Sequence, residues 1–322
     1  MMKVNLDLVK DFENIVLADI AEFKRQGFKF HDFDEWKIGK AGKDICEDTY
    51  KRDLMYSYAN LRERMIDAKP RKILYASNFK QLSDYEEGLK FLENKIRTGN
   101  NLIPHLSRQI FSPREQDGML FDFGIYHLHL GTTADTKHPY LIQGREKVLY
   151  CLFDNEFAYF LVIDKHGRWS DLDLLRIIKE SFPKKLETWE VQGVVGLTYN
   201  PTVAERQQLR KAGISTAIEL DGKVYFSPGG GINTAKTSVT AVLKMNHFYH
   251  KYQDIEKMIK EYFANDNEVE QKLKTDILNL SLQSFTPFKL IDQEKGIVVE
   301  LMFSNGNVKI SVGKTLKEQK IN

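Results

Sequence analysis

Very little cysteine is present in this chain of 322 residues: Cys46 and Cys151 are its two thiols, far apart and in unlike contexts. Neither belongs to a spaced metal motif, and a disulfide framework is excluded as the main source of stability. A reducing cytoplasm is the expected compartment. Net charge is also scarce, with 47 Lys and Arg against 45 Asp and Glu leaving +2. That balance excludes a whole-protein electrostatic pull on nucleic acid, so any nucleic-acid site must be a local patch. No apolar run reaches the roughly 18 residues of a membrane span. The first twenty residues lack the apolar core of a signal peptide, and no internal repeat or low-complexity tract is evident.

What is present is the balance of a globular protein, 42% apolar and 29% charged, long enough for two or three domains. The richness in Lys, Ile, Asn, Phe and Tyr matches an AT-rich bacterial or phage genome. Apolar residues Leu8, Val9, Phe12, Ile15, Val16, Ile20 and Phe23 fall at helical spacing, with Gly27 as the stop. A second helix is expected over about 50–67, and RKILYAS as a short strand. Ser83 with Glu86 three residues on forms a capping-box pattern, followed by the stripe Leu89, Leu92, Ile96 and a closing Gly99. GIYHLHL, KVLYCLF and FAYFLVID read as successive strands, the last two joined at Asp154-Asn155. Ser170 or Asp171 caps the next helix.

Beyond Pro183 the pattern changes. GVVGLTY is strand-like, Pro201 opens a helix that Gly213 closes, and Asp221-Gly222 marks a hairpin. A long helix is expected over about 234–263 and another near 267–283, before a final hairpin around Asn305-Gly306. The expected fold is α+β: a mainly helical region at 1–104, an antiparallel sheet module at 105–184 and an α+β domain at 185–322.

The chemistry concentrates in the central module. His127 and His129 alternate on one strand and therefore project to one face. His166 follows a later strand, and Asp122 and Arg145 lie in the same stretch. A neutral imidazole suits proton transfer near neutral pH, and a guanidinium can grip a phosphate with two donors. The same histidines could instead bind a divalent metal, with Asp122, Asp164 or His166 completing the set. A third reading makes them hydrogen-bonded strand residues of a non-enzymatic phage or bacterial interaction protein. His105 and Arg108, just before the sheet, are further candidates to line a site.

Other motifs carry less. Gly230 to Thr237 nearly match a phosphate-binding loop, but Ala235 stands where that pattern has Gly. The G…HxH start of a cupin lacks its following Glu and its second histidine motif. His247 and His250 sit three apart on a helix without a carboxylate at ligand spacing, Cys151 lies mid-strand without a basic neighbour, and the short basic clusters read as solvated faces.

The order GI-x-H-L-H-L, an arginine, an apolar strand, then D-x-H-G-x-W and a helix resembles the small sheet of RelE-like toxins and related metal-independent ribonucleases. The resemblance covers about 60 residues, roughly 120–183, by pattern rather than by a diagnostic motif. It places Arg145 on the arginine opening a central strand and His166 on a histidine near a late strand end, while His127 and His129 have no counterpart. It implies a ribonuclease effector of toxin or anti-phage type acting on RNA without a cofactor, with a protein inhibitor or other protein partner. His127 or His129 is then the expected base, His166 the acid, Arg145 the phosphate clamp and Asp122 the group orienting an imidazole.

Overall fold

The computed structural model describes residues 2–39, 46–167, 172–265, 271–285, 288–304 and 307–314. In chain order the elements begin with β1 (Lys3–Asn5), α1 (Leu8–Arg25), α2 (Phe33–Gly39), α3 (Glu47–Glu63) and β2 (Lys72–Tyr75). A tight turn at Ser83–Tyr85 leads into α4 (Glu86–Thr98). Two more, Ile103–His105 and Arg108–Phe111, precede α5 (Gly118–Phe123). Then come β3 (Tyr126–His129), β4 (Lys147–Phe153), β5 (Phe157–Lys165), α6 (Leu172–Ser181), α7 (Pro183–Glu187), α8 (Val203–Lys211), β6 (Ile218–Leu220) and β7 (Lys223–Tyr225). The chain ends with α9 (Val239–Asn265), β8 (Ile277–Asn279), β9 (Ser281–Phe285), β10 (Phe288–Asp292), β11 (Ile297–Ser304) and β12 (Asn307–Lys314). The α+β class expected from the sequence is the class observed.

The compact units are drawn differently from the three expected domains. One unit combines residues 1–21 with 245–322, and the other is 22–244. In the second unit the sheet order is β2-β5-β4-β3. β3 and β5 both run antiparallel to β4, while β2, from the supposedly helical N-terminal region, pairs parallel with β5. The sheet is therefore mixed, and residues 105–184 do not contain all of it. The five central side chains of β4 are all buried. A strand covered on both faces reads as a continuous apolar run, as KVLYCLF does.

Val148, Tyr150, Leu152, Tyr159 and Leu161 pack with Leu174, Leu175 and Ile178 of α6 and with Met119 and Phe123 of α5. Full burial of each such side chain contributes roughly 1.5–3 kcal/mol. α4 carries its buried stripe Leu89, Leu92 and Ile96, and Gly88 lies against Leu130: a Cβ there would sit 1.8 Å from the Leu130 carbonyl oxygen. Asp221 and Gly222 both take positive φ, 51° and 75°, giving the tight turn between β6 and β7 that this dipeptide favours.

In the first unit β1 pairs parallel with β8, and β9 to β12 form a four-stranded meander. Its core joins Leu8, Tyr252, Ile255, Ile259 and Phe263 to Leu290, Val299 and Leu301.

Three expected elements are corrected. The helix near 267–283 is replaced in its C-terminal part by β8 and β9. Leu278, Leu280 and Leu282 are all buried, a period of two, although Leu278 and Leu282 alone also satisfy helical spacing. GVVGLTY forms no strand: Val195 is 94% exposed, and the Leu197 N–H is held by the Glu219 carboxylate instead of a ladder, at 2.9 Å. The Ser83 capping box does not form, because the turn at Ser83–Tyr85 delays the helix to Glu86, whose carboxylate pairs with Lys90 at 2.6 Å. The capping box that does form is Thr202 with Glu205, at the start of α8. The Ser170 or Asp171 cap and the Asn305-Gly306 turn lie outside the described residues.

Candidate functional site

β3 and β5 flank β4 and run in the same direction, so their C-terminal ends meet one end of the sheet. His127 and His129 pair across from Tyr150 and Val148 and share their face. His166 is the first residue past β5. The hydroxyl of Tyr150 donates to the Lys165 carbonyl at 2.8 Å, which fixes the chain immediately before His166. The three imidazoles come together: ring centroids are 5.3 Å apart for His127 and His166, and 5.0 Å for His129 and His166. They line an open cleft of about 340 Å³ together with Arg108, Asp135 and Gly144.

His127 is buried and His166 exposed at the mouth. Burial, reinforced by His166 and His127 nearby, pushes the His129 imidazole down to about 3. Burial and His127 also lower His166. Behind the strand, wholly buried His105 is pushed down to about 4 by desolvation. Its Nδ1 lies 2.8 Å from the His129 carbonyl; a carbonyl only accepts, so Nδ1 carries the proton and Nε2 is the bare nitrogen. The rim cation is Arg108, whose guanidinium donates to Asp135 at 2.7 Å and holds that carboxyl down at about 2. One donor of the fork is thus committed. Asp117 caps the N-terminus of α5 through the Leu120 N–H, and its second oxygen lies 3.8 Å from Nδ1 of His127.

The sequence-predicted set is therefore brought together in part. His127, His129 and His166 converge. Arg145 does not join them: its guanidinium donates to the Asp84 carbonyl and stacks over the Tyr85 ring at 4.5 Å, and it lines no part of the cleft. Asp122 orients no imidazole. Its buried carboxylate is engaged by Arg210 of α8 and by the Ser215 hydroxyl at 2.9 Å, because it sits on the inner side of α5 and not on β3.

Sequence reasoning missed Asp117, which falls in a loop and shows no spacing to His127. A carboxylate at an N-cap position just ahead of an HxH strand was the available signal.

His247 and His250 are exposed on α9. The Gly-rich segment closes on itself through an Ile232–Ser238 bridge ahead of α9, and the buried Cys151 thiol is pushed far up by desolvation. Among the described residues no three His, Cys, Asp or Glu side chains are arranged to ligate a metal, and no helix is long and apolar enough to cross a membrane. Compared with protein-family models, curated proteins and solved structures, the chain matches none.

Proposed function

We propose that residues 22–244 carry a metal-independent ribonuclease that cleaves RNA by general acid–base chemistry, as the resemblance to RelE-like toxins suggests. The observation that carries the reading is the convergence of three imidazoles in one open cleft with an arginine on its rim. His127 takes the proton from the ribose 2′-hydroxyl, with Asp117 positioning its ring. The freed oxygen attacks the adjacent phosphorus, and the 5′-oxygen leaves with a proton from His166, giving a 2′,3′-cyclic phosphate. His129, held near 3, is too weak a base to accept that proton and serves as a neutral hydrogen-bonding group. Arg108 takes the clamp role expected of Arg145, offering its remaining donors to the phosphate. The lowered His166 is compatible with its role as acid, since an anionic phosphate beside an imidazole raises its pKa. A cytoplasmic toxin or anti-phage effector, restrained by a protein partner, is the biology this activity implies.

Removing a general acid or base typically lowers rate by about 10²–10⁴. His127→Ala and His166→Ala are expected to fall in that range, and wild type is expected to give the cyclic-phosphate product by cleavage that EDTA does not inhibit. Undiminished cleavage by a folded double variant overturns the reading. A metal-dependent hydrolase is the second reading, favoured by one observation: Nδ1 of His129 is buried and makes no hydrogen bond. Stoichiometric metal in the purified protein, lost in His129→Ala, would reverse the ranking.

A further inference from the structure

A second cavity, of about 440 Å³, shares His127 and Gln109 with the histidine cleft but contains neither His129 nor His166. Three glutamines line it, Gln109 beside the rim arginine, Gln116 next to Asp117, and Gln207 on α8. None of the three side-chain amides is bonded within the described residues; Gln109 and Gln207 are exposed and Gln116 half-buried, so their donors and acceptors are open to a ligand. Glu115 and Asp117 face the same space as Lys211, and Arg210 is already held by Asp122. A phosphate placed here would meet two carboxylates. A neutral, flat, polar group would meet amides, each presenting a donor and an acceptor.

We propose that this cavity is a nucleobase subsite, which holds one unstacked base of a single-stranded RNA next to the phosphate cleaved at His127. The proposal rests on the ribonuclease reading and adds the feature of the substrate that is selected. Base edges carry mixed donors and acceptors, and unpaired bases are the part of RNA that proteins read by such contacts. The volume falls within the roughly 300–1,000 Å³ of small-ligand sites. Asp117 adjoins both the base-reading Gln116 and the imidazole of His127, so an ordered base and an ordered ring are coupled through one loop.

The test titrates the four 3′-nucleoside monophosphates into wild type and into Gln116→Leu/Gln207→Leu by calorimetry, and measures kcat/KM on dinucleotides differing in one base. Wild type is expected to prefer one base by about tenfold or more, the scale of one or two hydrogen bonds, and the variant to lose that preference. Gln207→Ala, at an exposed helix position, checks the result in a protein whose fold is not at risk. Equal binding of all four nucleotides by wild type, or an unchanged preference in the folded variants, overturns the subsite. Preference for a base without any RNA cleavage supports the subsite and removes the ribonuclease reading. Cleavage with a preference indifferent to the glutamines does the reverse.

Discussion

Asp122 is the residue at which chemistry and architecture make opposite predictions. Its side chain is 5% exposed and that of Arg210 10%. The carboxylate receives two N–H groups of Arg210 and the Ser215 hydroxyl, and Ser215 in turn accepts the Ile232 N–H at 2.8 Å. The knot ties α5, α8 and the segment after the β6–β7 hairpin. The carboxylate side of the pair is closely packed: a Cβ on Gly231 would lie 2.7 Å from the Asp122 oxygen. In Asp122→Asn the guanidinium faces an uncharged amide. Breaking one side of a buried pair costs about 3–5 kcal/mol. For a unit of this size 1 kcal/mol moves Tm by roughly 2–4 °C, so the expected fall is on the order of 10 °C. Arg210→Met should fall similarly. The double variant Asp122→Leu/Arg210→Met should recover most of the loss, since an apolar pair of like volume is close to neutral in such a position. Scanning calorimetry of all four proteins closes the cycle. An Asp122→Asn protein that melts within about 2 °C of wild type yet loses RNA cleavage would refute the structural role and restore the catalytic one.

Arg108→Ala is expected to reduce cleavage by about tenfold or more and Arg145→Ala to leave it nearly unchanged, the contrast between a cleft cation and one stacked on Tyr85; equal losses in a cleavage assay would refute the exchange of roles. His105 and His129 are both held below the unfolded imidazole value of about 6.5, so the unfolded chain takes up protons first as pH falls, and stability complete above that value declines from about 6.5 downward at up to about 1.4 kcal/mol per pH unit for each ring. Urea unfolding between about pH 6.5 and 5, above the carboxylate range, reads this contribution together with that of the lowered His166, and a flat profile there would contradict the burial of the two rings. Gly88→Ala, a change that favours an isolated helix by up to about 1 kcal/mol, should destabilise by about 3 kcal/mol or more because its methyl meets the Leu130 carbonyl; a thermal melt unchanged from wild type would show that α4 can shift.

The sequence made legible what depends on neighbours in the chain. β3, β4 and β5 were visible because alternation and buried apolar runs are local patterns, and the Asp221-Gly222 turn because its backbone needs positive φ at both positions. That His127 and His129 share a face follows from the strand period alone. Their meeting with His166 follows from strand direction: two turns along an antiparallel meander bring the end of β5 to the end of β3. Partner assignments across longer separations were not legible. Arg145 and Asp122 are near the histidines in number, yet one is drawn to the turn before α4 and the other to α8, each by a group 61 and 88 residues away.

Arg108 reaches the cleft, and Asp117 the ring of His127, from turns whose positions are set by caps, through the Ser107 hydroxyl and the Leu120 N–H. Such caps bind over three residues but aim a side chain across the fold, so composition near a motif is a poor guide to which charge serves it. That Arg108 and not Arg145 lines the cleft is the consequence. In a near-neutral chain with 47 cations, the one that lines the cleft beside the imidazoles is Arg108, whose turn is fixed by the Ser107 cap, and nothing in its spacing to the histidines announces that.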